Sequence, residues 1–71
     1  MSNLSGQTFI DRTAIVDSNA RLGPGVKVGP YSVIEGNVEI GAGTIIGSHV
    51  HLEGWTVIGK NNRILNHASI G

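Results

Sequence analysis

His49, His51 and His67 are the only histidines among the 71 residues. Imidazole titrates near neutral pH, so it is the side chain best suited to act as a general base, a proton carrier or a metal ligand. His49 and His51 stand two apart, which in an extended strand puts both rings on one side. His67 follows His49 by eighteen residues. If the chain repeats with that spacing, the two rings stack about 5 Å apart and could share a metal ion. The repeat supplies no Cys, Asp or Glu as a second shell around the histidines. It also suggests no Ser or Cys nucleophile and no orienting carboxylate. The favoured reading is therefore three histidines at a surface or subunit boundary, with no catalytic, cofactor-binding or metal-ligating residue assigned.

Other chemistry-bearing residues give less. Gly23-Pro24-Gly25 and Gly41-Ala42-Gly43 contain Gly-x-Gly, but neither leads into a helix whose N-terminus could hold a phosphate. Asp11, Asp17, Glu35 and Glu53 read as solvated turn carboxylates. Arg12, Lys60 and Arg63 are scattered and form no basic patch. Trp55 beside Val57 reads as an exposed aromatic that can pack on a neighbouring chain.

What positions all of these is a period of six. Leu4, Ile10, Val16, Leu22, Val28, Ile34, Ile40, Ile46, Leu52, Ile58, Ile64 and Ile70 are spaced six apart and all are aliphatic. Ile, Leu and Val make up 20 of 71 residues. A chance run of this kind has odds on the order of one in a million. Fixed-period self-similarity marks a repeat architecture, and a six-residue period marks a parallel β-helix. A helix is excluded, because six residues at about 100° each do not return to one face.

With the aliphatic position named i, all eleven glycines fall at i+1, i+2 or i+3, and both prolines, Pro24 and Pro30, at i+2. These are turn formers. They predict a corner near i+1 to i+2 and a short strand from i+3 through the next i. Alternation then sends i and i+4 inward and i+3 and i+5 outward. The i+4 residues are mostly small or β-branched, as a narrow interior requires. Asn62 is the exception and, if buried, needs hydrogen-bond partners. Three six-residue sides make a triangular coil of eighteen residues, so the chain reads as an all-β solenoid of roughly four coils in one domain spanning residues 1–71.

Composition narrows the class. Formal net charge is zero, which argues against nucleic acid or a polybasic membrane surface as partner. There is no cysteine, hence no disulfide to support so small a core. No apolar run approaches the roughly 20 residues of a membrane span. The first twelve residues have neither a basic n-region nor an apolar h-region, which points to the cytoplasm. Asn3-Leu4-Ser5 spells a glycosylation sequon that reads as coincidence.

The hexapeptide [LIV]-[GAED]-x-x-[STAV]-x, repeated without interruption, resembles the left-handed parallel β-helix family of bacterial acyl- and acetyltransferases. Thr13–Gly54 and Thr56–Gly71 are further similar to the N-terminal coils of the UDP-N-acetylglucosamine 3-O-acyltransferases of lipid A synthesis. The most specific pieces are GPYSVI, VEIGAGTIIGSHV and IGKNNRI. The resemblance implies a left-handed coil, a homotrimer, and acyl transfer from acyl carrier protein to a UDP-sugar hydroxyl with a histidine as base. It places that histidine, and a Gln-Asp loop that grips the sugar, in coils after the ASIG segment, so the chain is expected to be the N-terminal part of a longer enzyme and inactive alone. Sister transferases and zinc enzymes of the γ-class carbonic anhydrase type share the bare repeat. A purely structural trimerising module is the other class. An ice-binding solenoid is rejected, since no Thr-x-Thr occurs.

The three sides differ outwardly. The side with Thr13/Ile15, Tyr31/Val33, His49/His51 and His67/Ser69 carries no formal charge and holds the one tyrosine and every histidine. Interface cores are depleted in charge and enriched in aromatics. Ile15, Tyr31, Val33, His49, His51 and His67 are thus the expected face toward neighbouring chains.

Overall fold

A computed structural model describes residues 7–71, and Leu4, Gly6 and the Asn3 sequon lie outside the described residues. Eleven short strands follow one another: β1 (Phe9–Ile10), β2 (Ile15–Val16), β3 (Arg21–Leu22), β4 (Lys27–Val28), β5 (Val33–Ile34), β6 (Val38–Ile40), β7 (Ile45–Ile46), β8 (His51–Leu52), β9 (Thr56–Ile58), β10 (Arg63–Ile64) and β11 (Ser69–Ile70). They are dealt in turn to three sheets, ordered β1-β4-β7-β10, β2-β5-β8-β11 and β3-β6-β9. Every pairing is parallel and every register step is eighteen residues, as in Ile10↔Val28 and Ile40↔Ile58. Eleven strands over three sides make three full turns and two further strands. This is an all-β parallel solenoid, consistent with a left-handed β-helix. Among the described residues there is no helix, and so none long and apolar enough to cross a membrane.

Burial follows the frame. The buried residues are Val26, Val28, Ser32, Ile34, Val38, Ile40, Thr44, Ile46, Val50 and Leu52, and each is at i or i+4. Ala14, Val16, Ala20, Leu22, Ile58, Ile64, Ala68 and Ile70 are also at i or i+4 and pack on that core from its two ends. A rung is fully dry only when it has a rung on both sides, which is how a stacked repeat builds its interior.

The two polar residues in the core are bridged between turns. Ser32 Oγ donates to the Gly47 carbonyl at 2.7 Å and accepts from the Val50 N–H at 3.1 Å. Thr44 Oγ1 donates to the Gly59 carbonyl at 2.7 Å and accepts from the Asn62 N–H at 3.2 Å. Each hydroxyl is thereby satisfied in both roles, as burial demands. Asn62 departs from the expected interior environment. It sits in the last turn, where no further rung covers it, and is exposed.

The corners fall one residue later than the glycine pattern suggests. Their turn residues are i+2 and i+3, as at Pro24-Gly25 and Ala42-Gly43, and the strands shrink mostly to i+5 and i. The N–H of i+4 donates to the carbonyl of i+1, as Val26 does to Gly23 and Thr44 to Gly41. Each such corner is therefore a β-turn whose third residue is i+3. Gly25 and Gly43 take φ of 75° and 74° there, and Tyr31, His49, Asn61 and His67 take 56–65°. Pro24 followed by Gly25 is the pairing a type II turn favours. Glycine at i+1 has a different purpose. A Cβ on Gly41 would lie 2.7 Å from the backbone of Gly59 and Lys60 in the turn above. That glycine permits corners to stack closely and is not the source of the positive φ.

Candidate functional site

The turn geometry decides where the histidines go. His49 and His67 occupy i+3 and lie in corners, not on a strand with His51 as the alternation predicts. The N–H of His49 donates to the Pro30 carbonyl one turn below, and that of His67 to the Ser48 carbonyl, both at 2.9 Å. With corners locked in register, Tyr31, His49 and His67 form a ladder of rings. The centroid of Tyr31 lies 5.2 Å from that of His49, and His49 lies 4.9 Å from His67, with planes 26° and 21° apart. The spacing matches the expected 5 Å. The near-parallel planes, however, aim the nitrogen lone pairs of His49 and His67 alongside one another and not at a common point. The pair is a stack that covers apolar ring faces.

His51 takes part in another arrangement. It lies on β8 and points outward, and its Nε2 sits 3.0 Å from Glu35 Oε2 and 3.4 Å from Glu53 Oε1. One ligand atom from each of the three residues falls within 4.8 Å of the others. All three side chains are about half exposed. The backbone fixes this convergence. Glu35 and Glu53 both stand at i+1 of the same corner, eighteen residues apart, and the Glu35 N–H donates to Leu52 O while that of Glu53 donates to Ile70 O. His51 precedes Glu53 by two residues in extended chain, which turns both side chains outward.

Read singly, Glu35 and Glu53 are solvated turn carboxylates and the histidines lack flanking acids. The structure instead sets two carboxylates on His51. The signal was present in the numbering: two glutamates one coil apart, with a histidine two residues before the second. Asp17 continues the column one turn lower, but its Oδ1 is engaged by the Asn19 N–H at 2.8 Å. This donor set, one imidazole nitrogen and two carboxylates, can hold a cation.

The remaining candidates are brought to no common point. On the side of β3, β6 and β9 an open groove of about 410 Å³ is lined by Arg21, Glu39, Trp55 and Val57. Trp55 is 88% exposed there, in keeping with its outward position. On the uncharged side Ile15 is 65% and Tyr31 60% exposed. His49 and His67 are exposed, while Val33 and His51 are half-buried.

A family profile described as bacterial transferase hexapeptide (six repeats) matches residues 19–54 and, overlapping them, residues 37–71. No curated protein matches the sequence.

Proposed function

The chain belongs to the bacterial transferase hexapeptide family, and from that premise we propose that it is the coil platform of an acyltransferase, assembled as a homotrimer. In this reading the chain supplies the N-terminal coils of a cytoplasmic bacterial enzyme of lipid A synthesis. That enzyme transfers an acyl group from acyl carrier protein to the 3-hydroxyl of UDP-N-acetylglucosamine. The support is the resemblance of GPYSVI (Gly29–Ile34), VEIGAGTIIGSHV (Val38–Val50) and IGKNNRI (Ile58–Ile64) to those coils. The base and the sugar-gripping loop belong, by the same resemblance, to coils not represented in residues 1–71.

One observation carries the platform role. The eighteen-residue register runs through all eleven strands without a gained or lost residue, so each side is a flat, regular wall. The wall that bears Ile15, Val33 and His51, with the corner of Tyr31, His49 and His67 at its edge, has exposed apolar and aromatic residues and no Asp, Glu, Lys or Arg among these six. A core this small gains from covering such a wall with another copy.

The experiment has two arms. Sedimentation of the chain should give a trimer and, for Tyr31→Lys, a monomer. A chimera in which residues 7–71 replace the matching coils of a UDP-N-acetylglucosamine acyltransferase should stay trimeric and keep acyl transfer. A monomeric wild type, or a trimer indifferent to Tyr31→Lys, overturns the assembly. A folded, trimeric chimera without transfer overturns the enzyme assignment.

A further inference from the structure

The convergence of Glu35, His51 and Glu53 points to something the acyl-transfer reading does not use. We propose that these three side chains form a binding site for a zinc-class divalent cation that clamps two successive turns of the solenoid together.

The first argument is distance. Zinc binds imidazole nitrogen and carboxylate oxygen at about 2.0–2.2 Å, so two donors around one ion lie about 3.0 Å apart at a right angle and about 3.4 Å apart at the tetrahedral angle. His51 Nε2 stands 3.0 Å from Glu35 Oε2 and 3.4 Å from Glu53 Oε1. The three donors lie within 4.8 Å of one another. Both carboxylates are about half exposed, so packing does not fix their rotamers.

The second argument is charge. Parallel stacking places Glu35 and Glu53 on adjacent rungs, about 4.8 Å apart at the backbone. Like charges so placed repel. Among the described residues, no Lys or Arg nitrogen lies within 4.0 Å of either carboxylate, and the imidazole of His51 is their one basic neighbour. The outward wall beside them adds no charge. A dication held by the imidazole compensates both carboxylates at once.

The third argument is topology. Glu35 follows β5, while His51 and Glu53 bracket Leu52 one turn above. An ion bound to all three therefore ties two rungs, in a chain that has no disulfide. The donor set of one nitrogen and two carboxylate oxygens suits zinc and its neighbours better than calcium, which takes oxygen alone. Three protein ligands leave a fourth position for water or for an anionic group, at the edge of the wall proposed to meet another copy.

The probe is zinc ion itself, titrated calorimetrically into metal-free full chain at about pH 7.5, since metal binding competes with protons for its ligands. The expected result is one equivalent per chain with Kd of about 10 µM or tighter, and a melting temperature that rises with zinc concentration. Cobalt(II) should bind in the same place and develop visible absorption that zinc removes. Glu35→Gln and His51→Gln should each weaken zinc at least tenfold while their circular dichroism matches wild type. The double variant His49→Gln/His67→Gln should bind as wild type does. Absence of stoichiometric binding at about 1 mM zinc, affinity unchanged by His51→Gln, loss of affinity in the His49/His67 variant, or equal affinity for calcium would each overturn the site.

Discussion

Ser32 Oγ donates to the carbonyl of Gly47 in the adjacent turn of the solenoid, at 2.7 Å, from a position with no solvent exposure. The same oxygen accepts the Val50 N–H. Ser32→Ala removes the one hydroxyl that serves both groups and leaves the buried Val50 N–H and the half-buried Gly47 carbonyl unpaired. Denaturant unfolding should show a loss of about 1–3 kcal/mol per group left unsatisfied. A smaller loss than for Ser69→Ala, on the exposed face, would mean water reaches the Ser32 site.

The aliphatic column gives a larger effect. Ile46 is 1% exposed and has rungs on both sides. Ile46→Ala should cost about 2–5 kcal/mol, and Ile40→Asp should prevent folding altogether, because a lone charge cannot be buried without a partner. Retained circular dichroism and an unchanged melting temperature in Ile40→Asp would place Ile40 outside the core.

Glycines at the same frame position should answer differently to alanine. At Gly41 a new Cβ would press on the backbone of Gly59 and Lys60 at 2.7 Å, whereas at Gly59 it would meet only Asn62 Nδ2, at 3.4 Å. Gly41→Ala should destabilise by about 1–3 kcal/mol, as overpacking does. Gly59→Ala should be neutral, or stabilise by about 0.4–1 kcal/mol through the unfolded chain. Thermal melts of the two variants side by side decide it, and equal shifts would refute the stacking explanation.

Asp11 provides a pH test. Its carboxylate accepts from Thr13 Oγ1 at 2.6 Å and from the Thr13 N–H at 3.0 Å. The side-chain bond first and the backbone bond second hold its pKa below the ordinary 3.8. A depressed folded-state value means the contribution to stability is full above the unfolded pKa and fades as pH falls through the folded one. Wild type should therefore exceed Asp11→Asn in stability near neutrality, and the gap should close in strong acid. In Thr13→Ala, the Asp11 carboxyl titration followed by NMR should move back up toward its ordinary value. An unmoved titration would show that Thr13 is not the cause.

The fold was readable because the interior tolerates so little. Only i and i+4 are ever buried, and residues such as Val26, Ile34 and Val50 declare that pattern by type alone. The corners were less readable, since glycine serves two purposes that composition does not separate: close approach at Gly41, and positive φ at Gly43. Nothing in the side chains of Tyr31, His49 or His67 announces a left-handed backbone. They share it with one another one coil apart, whereas Thr13, one coil below Tyr31, does not take it. The convergence on His51 was missed for a related reason. Glu35 and Glu53 look like ordinary turn acids until the eighteen-residue register is applied to the corners as well as to the aliphatic core.

That register also governs how the molecule comes into being. Each ladder partner is eighteen residues away, never fifty, so no pairing has to wait for distant parts of the chain to meet. A first pair of turns anywhere along the middle can act as a seed, and each further turn adds one similar increment of burial. Excision of one whole period, such as residues 27–44, leaves every side facing as before, with a shorter stack. Loss of six residues instead rotates everything downstream by one wall, so that the histidine ladder would continue a column of different neighbours.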